Sequence, residues 1–187
     1  GKTLNELVIR YKSSLLGEEN YKRVGNHFPL LVKFIDACEN LSVQVHPNDQ
    51  LAQTRHNSVG KTEMWYIIDN NNGKGHLCPG FKKKITSNEF TSLIKEDKIS
   101  DVLANYAVQS GDVFYLPAGR IHSIGAGCFL VEIQQTSNIT YRIYDYNRTD
   151  KNGNHRELHT ELAHKAIDYQ TEEDYRIHYT PLQKEPS

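Results

Sequence analysis

The residues of this chain best equipped for chemistry are two imidazoles, a carboxylate and a carboxamide: His46, His122, Glu63 and Gln44. Gln44 and His46 stand two apart in the alternating segment Leu41-Ser42-Val43-Gln44-Val45-His46. As a strand, that segment sends both side chains out of one face, because the side-chain period is two. Glu63 opens a second strand-like run, Glu63-Met64-Trp65-Tyr66-Ile67-Ile68-Asp69, and His122 follows the turn Pro117-Ala118-Gly119. Donors of these types, delivered from separate strands, form a shell for a borderline divalent ion, and zinc suits them best. Gln44 is the unusual member, since a carboxamide also serves as a hydrogen-bonding neighbour of a ligand. The other seven histidines, His27, His56, His76, His155, His159, His164 and His178, lie outside these segments and read as surface or packing residues.

The elements that must position these groups are legible as many short strands and a few helices. Thr3-x-x-Glu6 is a capping box, Leu4, Leu7, Val8, Tyr11 and Leu15 form an apolar stripe, and Gly17 is a stop. A polar link leads to strands over 30–36, 41–46 and 63–69, and the cluster Asn70 to Gly75 is a turn between two strands. Thr86-x-x-Glu89 caps a helix through Ile94, and another helix is expected over 97–103. Strands are expected again over 106–109, 112–116, 128–135 and 140–144. A polar loop over 145–156 and a last helix over 157–167 follow. The remainder is charged and weakly patterned, so 1–168 reads as one domain and 169–187 as a tail or linker. This pattern predicts a mainly β fold, an antiparallel barrel or jelly roll with helical insertions.

Composition narrows the function classes. The chain has 187 residues with 22 basic and 23 acidic side chains, enough to bury one core. A net charge of −1 leaves no basic footprint, so nucleic acid is not an expected partner. No apolar run reaches transmembrane length and no signal-peptide pattern is present, which predicts a cytoplasmic protein without a membrane partner. Cys38, Cys78 and Cys128 are odd in number and lack C-x-x-C spacing, so they are expected as free thiols.

Gly111-Asp112-x-x-x-x-Pro117-Ala118-Gly119-x-x-His122 resembles the second motif of the cupin superfamily. Four blocks go further: Leu-Ser-Val-Gln-Val-His-Pro-Asn-Asp (41–49), Gly-Lys-Thr-Glu-Met-Trp-Tyr-Ile (60–67), Gly-Asp-Val-Phe-Tyr-Leu-Pro-Ala-Gly (111–119) and Glu-Ile-Gln-Gln-Thr-Ser-Asn-Ile-Thr-Tyr-Arg-Ile-Tyr-Asp (132–145). Together, and in order, they resemble type I mannose-6-phosphate isomerase over about residues 1–168. The resemblance implies a cupin-type jelly-roll barrel and a metal-dependent aldose–ketose isomerase. Such an enzyme interconverts mannose 6-phosphate and fructose 6-phosphate through an enediolate. It further implies one zinc ion per chain on Gln44, His46, Glu63 and His122. Lys61 matches a lysine assigned to proton transfer, Arg142 the arginine that holds the enediolate, and Glu132 a pocket carboxylate. Ser42 and Lys33 fall where the family's phosphate contacts lie.

Two departures carry an alternative. Asn138 stands where the family has an aspartate implicated in ring opening, and an amide is no general base. The family also has an N-terminal segment and a second C-terminal cupin-like unit beyond this region, so the chain, which begins at Gly1, reads as a fragment or truncated relative. The alternative is a truncated or degenerate cupin that binds metal and sugar phosphate without turnover. An opened barrel edge would seek a partner, which predicts a homodimer or a strand supplied by another copy. A cupin dioxygenase fits less well, because such sites present His-x-His where this chain has Gln44. The fold by itself selects no reaction.

Overall fold

The computed structural model describes residues 1–181. Helix α1 (Leu4–Tyr11) begins at the expected capping box, with the Thr3 and Glu6 side chains each bonded to the other's backbone. The helix expected through to Gly17 is broken at Lys12, which has a φ of +47°, and resumes as α2 (Ser13–Leu16), while α3 (Glu18–Val24) lies where a polar link is expected. The apolar stripe is not a buried one. Val8 is enclosed, but Leu4, Tyr11 and Leu15 are each about half exposed.

The β elements then run in chain order. Strand β1 is Leu30–Asp36, β2 Val43–Val45, β3 Glu63–Asp69, β4 His76–Cys78 and β5 Tyr106–Ala107. After them come β6 Val113–Leu116, β7 Ser123–Ile124, β8 Phe129–Gln135 and β9 Tyr141–Tyr144. Helices α4 (Asp49–His56), α5 (Ser87–Lys95) and α6 (Thr160–His164) are inserted among and after them. The helix expected over 97–103 is only a 3-10 turn, Ile99–Val102. Every pairing between strands is antiparallel. The largest sheet has the order β1-β8-β3-β6, flanked by a pair β2-β9 and a triplet β5-β4-β7. The mainly β, helix-decorated architecture expected from the pattern is therefore present.

Register on the large sheet explains where polar groups collect. Ile67 opposes Leu130, Trp65 opposes both Glu132 and Phe114, and Glu63 opposes Gln134 and Leu116. Lys33 on β1 in turn opposes Glu132. One face of the sheet thus runs from an apolar end, with Ile67, Leu130 and Phe114 fully enclosed, to a polar end at Glu63. Each apolar side chain buried at the first end contributes roughly 1.5–3 kcal/mol. A second core lies under β2 and β9, where Val43, Val45, Tyr141 and Ile143 pack on Phe90 of α5 and Ala163 of α6.

The segment expected as a tail or linker is folded back as a strap over its described part. Asp168 N donates to Gly119 O, Arg176 bridges Phe114, and Ile177 N donates to Val113 O. Tyr175 is only 4% exposed, and its ring lies where any side chain at position 80 would stand, a place Gly80 leaves open. Residues 182–187 of the expected tail lie outside the described residues. Among those described, no helix is long and apolar enough to cross a membrane.

Candidate metal centre

Three elements converge on one point. Strand β2 and the residue after it supply Gln44 and His46, the first residue of β3 supplies Glu63, and the turn after β6 supplies His122. The connections are direct. Gln44 and His122 exchange both backbone hydrogen bonds, at 3.0 and 2.9 Å, and Gly119 N donates to His46 O at 2.8 Å. Ala118 N donates to the Thr62 hydroxyl beside Glu63, at 3.2 Å. Gly119 makes this turn at φ +94°, a conformation side-chain-bearing residues rarely adopt.

His46, Glu63 and His122 are all buried, and one donor atom from each lies within 4.8 Å of the others. The rings are oriented by their outer nitrogens. His46 Nδ1 lies 2.9 Å from Ile139 O and His122 Nδ1 lies 2.9 Å from Arg120 O. A carbonyl only accepts, so each Nδ1 carries the proton and each Nε2 turns a lone pair inward. Those two Nε2 atoms lie 3.4 and 3.5 Å from the two Glu63 oxygens. Neither buried Glu63 oxygen has an aligned hydrogen-bond donor. Four electron-rich atoms therefore face one another in a place water does not reach, and this is unfavourable unless a cation lies among them.

The available cation is Lys61. Its Nζ is 2.8 Å from Glu63 Oε1, off the line of a hydrogen bond, and 3.4 Å from His46 Nε2. Burial pushes His46 down to about 4, against the opposing pull of Glu63, so its ring is neutral and ready to coordinate at neutral pH. Burial likewise lowers His122. Burial alone would raise Glu63, but the surrounding imidazoles and the Lys61 ammonium outweigh it and hold the carboxylate ionised. The Gln44 amide approaches His122 Nε2 at 3.3 Å. Rotating the amide by half a turn presents its oxygen to the cluster instead, and the two orientations are sterically equivalent. The donor set fits a divalent ion.

The other residues singled out from the sequence separate into two groups. Glu132 is buried with both oxygens occupied, Oε1 by Lys33 at 2.8 Å and Oε2 by the Trp65 indole at 3.2 Å. Lys33 also donates to Gln134, so its amine faces the sheet interior. Arg142 is the cross-strand partner of Gln44 and shares its face. One guanidinium nitrogen of Arg142 donates to Glu157 O at 2.7 Å, while its buried Nε has no partner among the described residues. Continuing the register from Val43 and Tyr144 places Ser42 opposite Asp145.

There the structure adds residues that the sequence reading passed over. Asp145 is buried and receives hydrogen bonds from both Arg148 and Arg156, which leaves a cationic cluster beside Ser42 and Arg142. Burial and then the Arg156 charge depress the Arg142 pKa. A signal was present, since two arginines in a polar loop directly after a candidate site strand are a candidate anion contact. Two surface hollows lie elsewhere, against α3 and against α5, and touch none of these residues.

Comparisons with known proteins agree with this geometry. Residues 1–100 match the family described as phosphomannose isomerase type I, catalytic domain. The chain is 39% identical over 185 residues to mannose-6-phosphate isomerase ManA of Bacillus subtilis, covering 98% of this chain and 56% of that protein. It is 41% identical over 163 residues to the mannose-6-phosphate isomerase of Streptococcus mutans, covering 87% of this chain and 49% of that protein. The crystal structure of a mannose 6-phosphate isomerase from Bacillus subtilis superposes with a TM-score of 0.84 at 34% identity, covering 98% of this chain and 57% of the other. The chain spans about half the length of the curated relatives it matches. With the match running through Gln44, His46, Lys61 and Glu63, the chain belongs to the type I phosphomannose isomerase family.

Proposed function

We propose that this chain carries the metal-binding catalytic half of an aldose–ketose isomerase acting on mannose 6-phosphate and fructose 6-phosphate. The observation that carries the reading is the buried meeting of His46, Glu63 and His122, with inward lone pairs and Lys61 as their nearby cation among the described residues. Zinc on these three residues and Gln44, when bound, would polarise the sugar oxygens on which negative charge develops. Lys61, whose ammonium a bound ion would displace from the cluster, would as the free amine take the proton that leaves C2 as the electron pair forms the C1–C2 double bond and return it at C1, the hydroxyl proton passing from O2 to O1. Arg142, with a buried Nε that no described residue uses, donates to the enediolate oxygens. The phosphate lies against Ser42 with Arg148 and Arg156, whose planar donors match it. Lys33 pairs with Glu132 in the pocket wall. The cytoplasm suits such a protein, since Cys38, Cys78 and Cys128 are free.

A second reading, metal binding without turnover, is favoured by Asn138, which is exposed, and by the open edge of the sheet at β1. That edge also supports association with a second copy. The deciding experiment is a coupled assay of mannose 6-phosphate conversion with the 187-residue chain, alongside metal analysis. Turnover that is lost in Arg142→Ala with zinc retained establishes the isomerase. Zinc binding without turnover establishes the second reading. A chain that binds neither metal nor sugar phosphate sinks both.

A further inference from the structure

His122 is oriented by a residue that touches no ligand atom. Its Nδ1–H donates to Arg120 O at 2.9 Å, and this bond leaves Nε2 unprotonated toward Glu63. The position of the Arg120 carbonyl is therefore part of the metal centre, although the Arg120 side chain points away from it. The turn alone fixes that carbonyl weakly, by one bond from Arg120 N to Pro117 O at 3.1 Å. Bonds to His46 O and Gln44 O hold Gly119 N and His122 N on either side of it, and the remaining constraints come from the strap formed by residues 168–177. Asp168 N donates to Gly119 O at 2.8 Å. Arg120 Nη2 donates to Glu172 Oε1 at 2.8 Å, and the guanidinium stacks 5.0 Å from the Tyr175 ring centre. Tyr175 is itself anchored, its hydroxyl donating to Phe81 O at 2.8 Å.

We infer that the strap is a brace for the metal centre, acting through Arg120 on His122, with Glu172 and Tyr175 as positioning residues. The inference rests on the metal-binding reading given above. As a stability element the Arg120–Glu172 pair contributes little, since the Glu172 side chain is half exposed. Its effect is geometric: it clamps the side chain of the residue whose carbonyl sets the tautomer of a ligand. The strap has a second attachment that serves as an internal control. Arg176 bonds Asp112 and Ala107 O and stacks on Tyr106 and Phe114, all on the far side from the turn.

The test is a zinc competition titration of the whole chain, with thermal unfolding measured in parallel and ring nitrogen shifts of His122 recorded without metal. Arg120→Ala is expected to weaken zinc about tenfold. Glu172→Gln is expected to weaken it about two- to fivefold, the scale of one exposed ion pair. Arg176→Ala should lower the unfolding temperature and leave zinc affinity unchanged. Metal-free wild type should show one His122 tautomer, protonated at Nδ1, and Arg120→Ala a mixture. Zinc affinities of Arg120→Ala and Glu172→Gln equal to wild type, or an equal loss in Arg176→Ala, overturn the brace. A wild-type chain that binds no zinc removes the metal reading instead. The tautomer comparison then decides the brace alone, an unchanged His122 tautomer in Arg120→Ala counting against it.

Discussion

The turn from Pro117 to His122 and the strand β1 receive opposite treatment from the rest of the molecule. The turn is held from β2, from Thr62 and from the strap, and its atoms have almost no freedom. Among the described residues strand β1 is bonded to β8 alone, and Leu30, Leu31, Val32 and Phe34 along it are exposed, Phe34 by 71%. Yet β1 also delivers Lys33 to the interior carboxylate Glu132. The contrast separates two demands on one fold. A site that must converge lone pairs on one point needs constraint from several directions. An edge that offers unpaired backbone and apolar side chains is a surface that further structure completes.

The largest expected effect breaks the constrained region at its centre. Glu63→Gln removes the only anionic donor among the three clustered residues, and zinc affinity should fall roughly a hundredfold or more, beyond the range for an outer partner. The same change leaves the buried Lys61 ammonium without its 2.8 Å partner. Breaking one side of a buried pair costs about 3–5 kcal/mol, so urea unfolding of the metal-free chain should register it. A variant that keeps zinc within tenfold of wild type would show that Glu63 is no ligand. No substitution on the exposed face of β1 should touch either quantity.

Acid should act on the same region next. His46 is depressed to about 4 by burial, so between about 6.5 and about 4 the unfolded chain binds a proton that the folded chain refuses. Stability therefore falls as pH is lowered through that window, by on the order of 3 kcal/mol for this one group. The lowered His122 adds loss of the same sign, and the ionised Glu63 adds more below its ordinary carboxylate range. Unfolding free energies of the metal-free chain from pH 7 to 4 check this. A flat profile would mean that the imidazoles are not buried neutral. Saturating zinc should steepen the dependence, since protons compete for the same lone pairs.

A third prediction detaches the strap. Gly80→Ala places a methyl group inside the Tyr175 ring, so the ring must move. Overpacking of this kind costs about 1–3 kcal/mol, and limited proteolysis after residue 168 should accelerate. Unaltered stability and cleavage would mean that the Tyr175 ring has room to shift and that the strap is not seated as described.

These regions differ also in how far the sequence discloses them. Strands β1 and β3 are readable to the residue, because a mostly apolar run over seven positions is a local property. Gln44, His46, Glu63 and His122 stand out for the same reason, each being fixed by its neighbours in sequence. Helices α3 and α4 are harder. No residue of α3 is buried and only Ala52 of α4 is, so neither carries an apolar stripe, and the Asn48 cap of α4 reads as part of a loop. The strap reads as a tail in the sequence because its one deeply buried residue, Tyr175, fits a space set by Gly80, and that pairing spans about half of the chain. The Asp145 cluster likewise depends on a loop returning Arg156 to β9. What was missed is what depends on distant partners.

The smallest expected effect falls on β1 and sharpens the contrast from its other side. Phe34 projects from an edge strand and touches little beyond Phe129, 6.4 Å away between ring centres. Phe34→Lys should change the unfolding free energy by no more than about 0.5 kcal/mol, the range for surface positions. It should leave zinc affinity unchanged, since Lys33 next to it points to the opposite face and keeps its bond to Glu132. Self-association is the quantity that should move. An exposed apolar edge strand recruits another strand, and an added lysine opposes this by placing like charges face to face across any symmetric pairing. Sedimentation of wild type and variant over a range of concentrations reads the difference: a concentration-dependent dimer in the wild type, weakened in the variant. Identical monomers in both would show that β1 does not pair with itself and would leave its apolar side chains to a different partner.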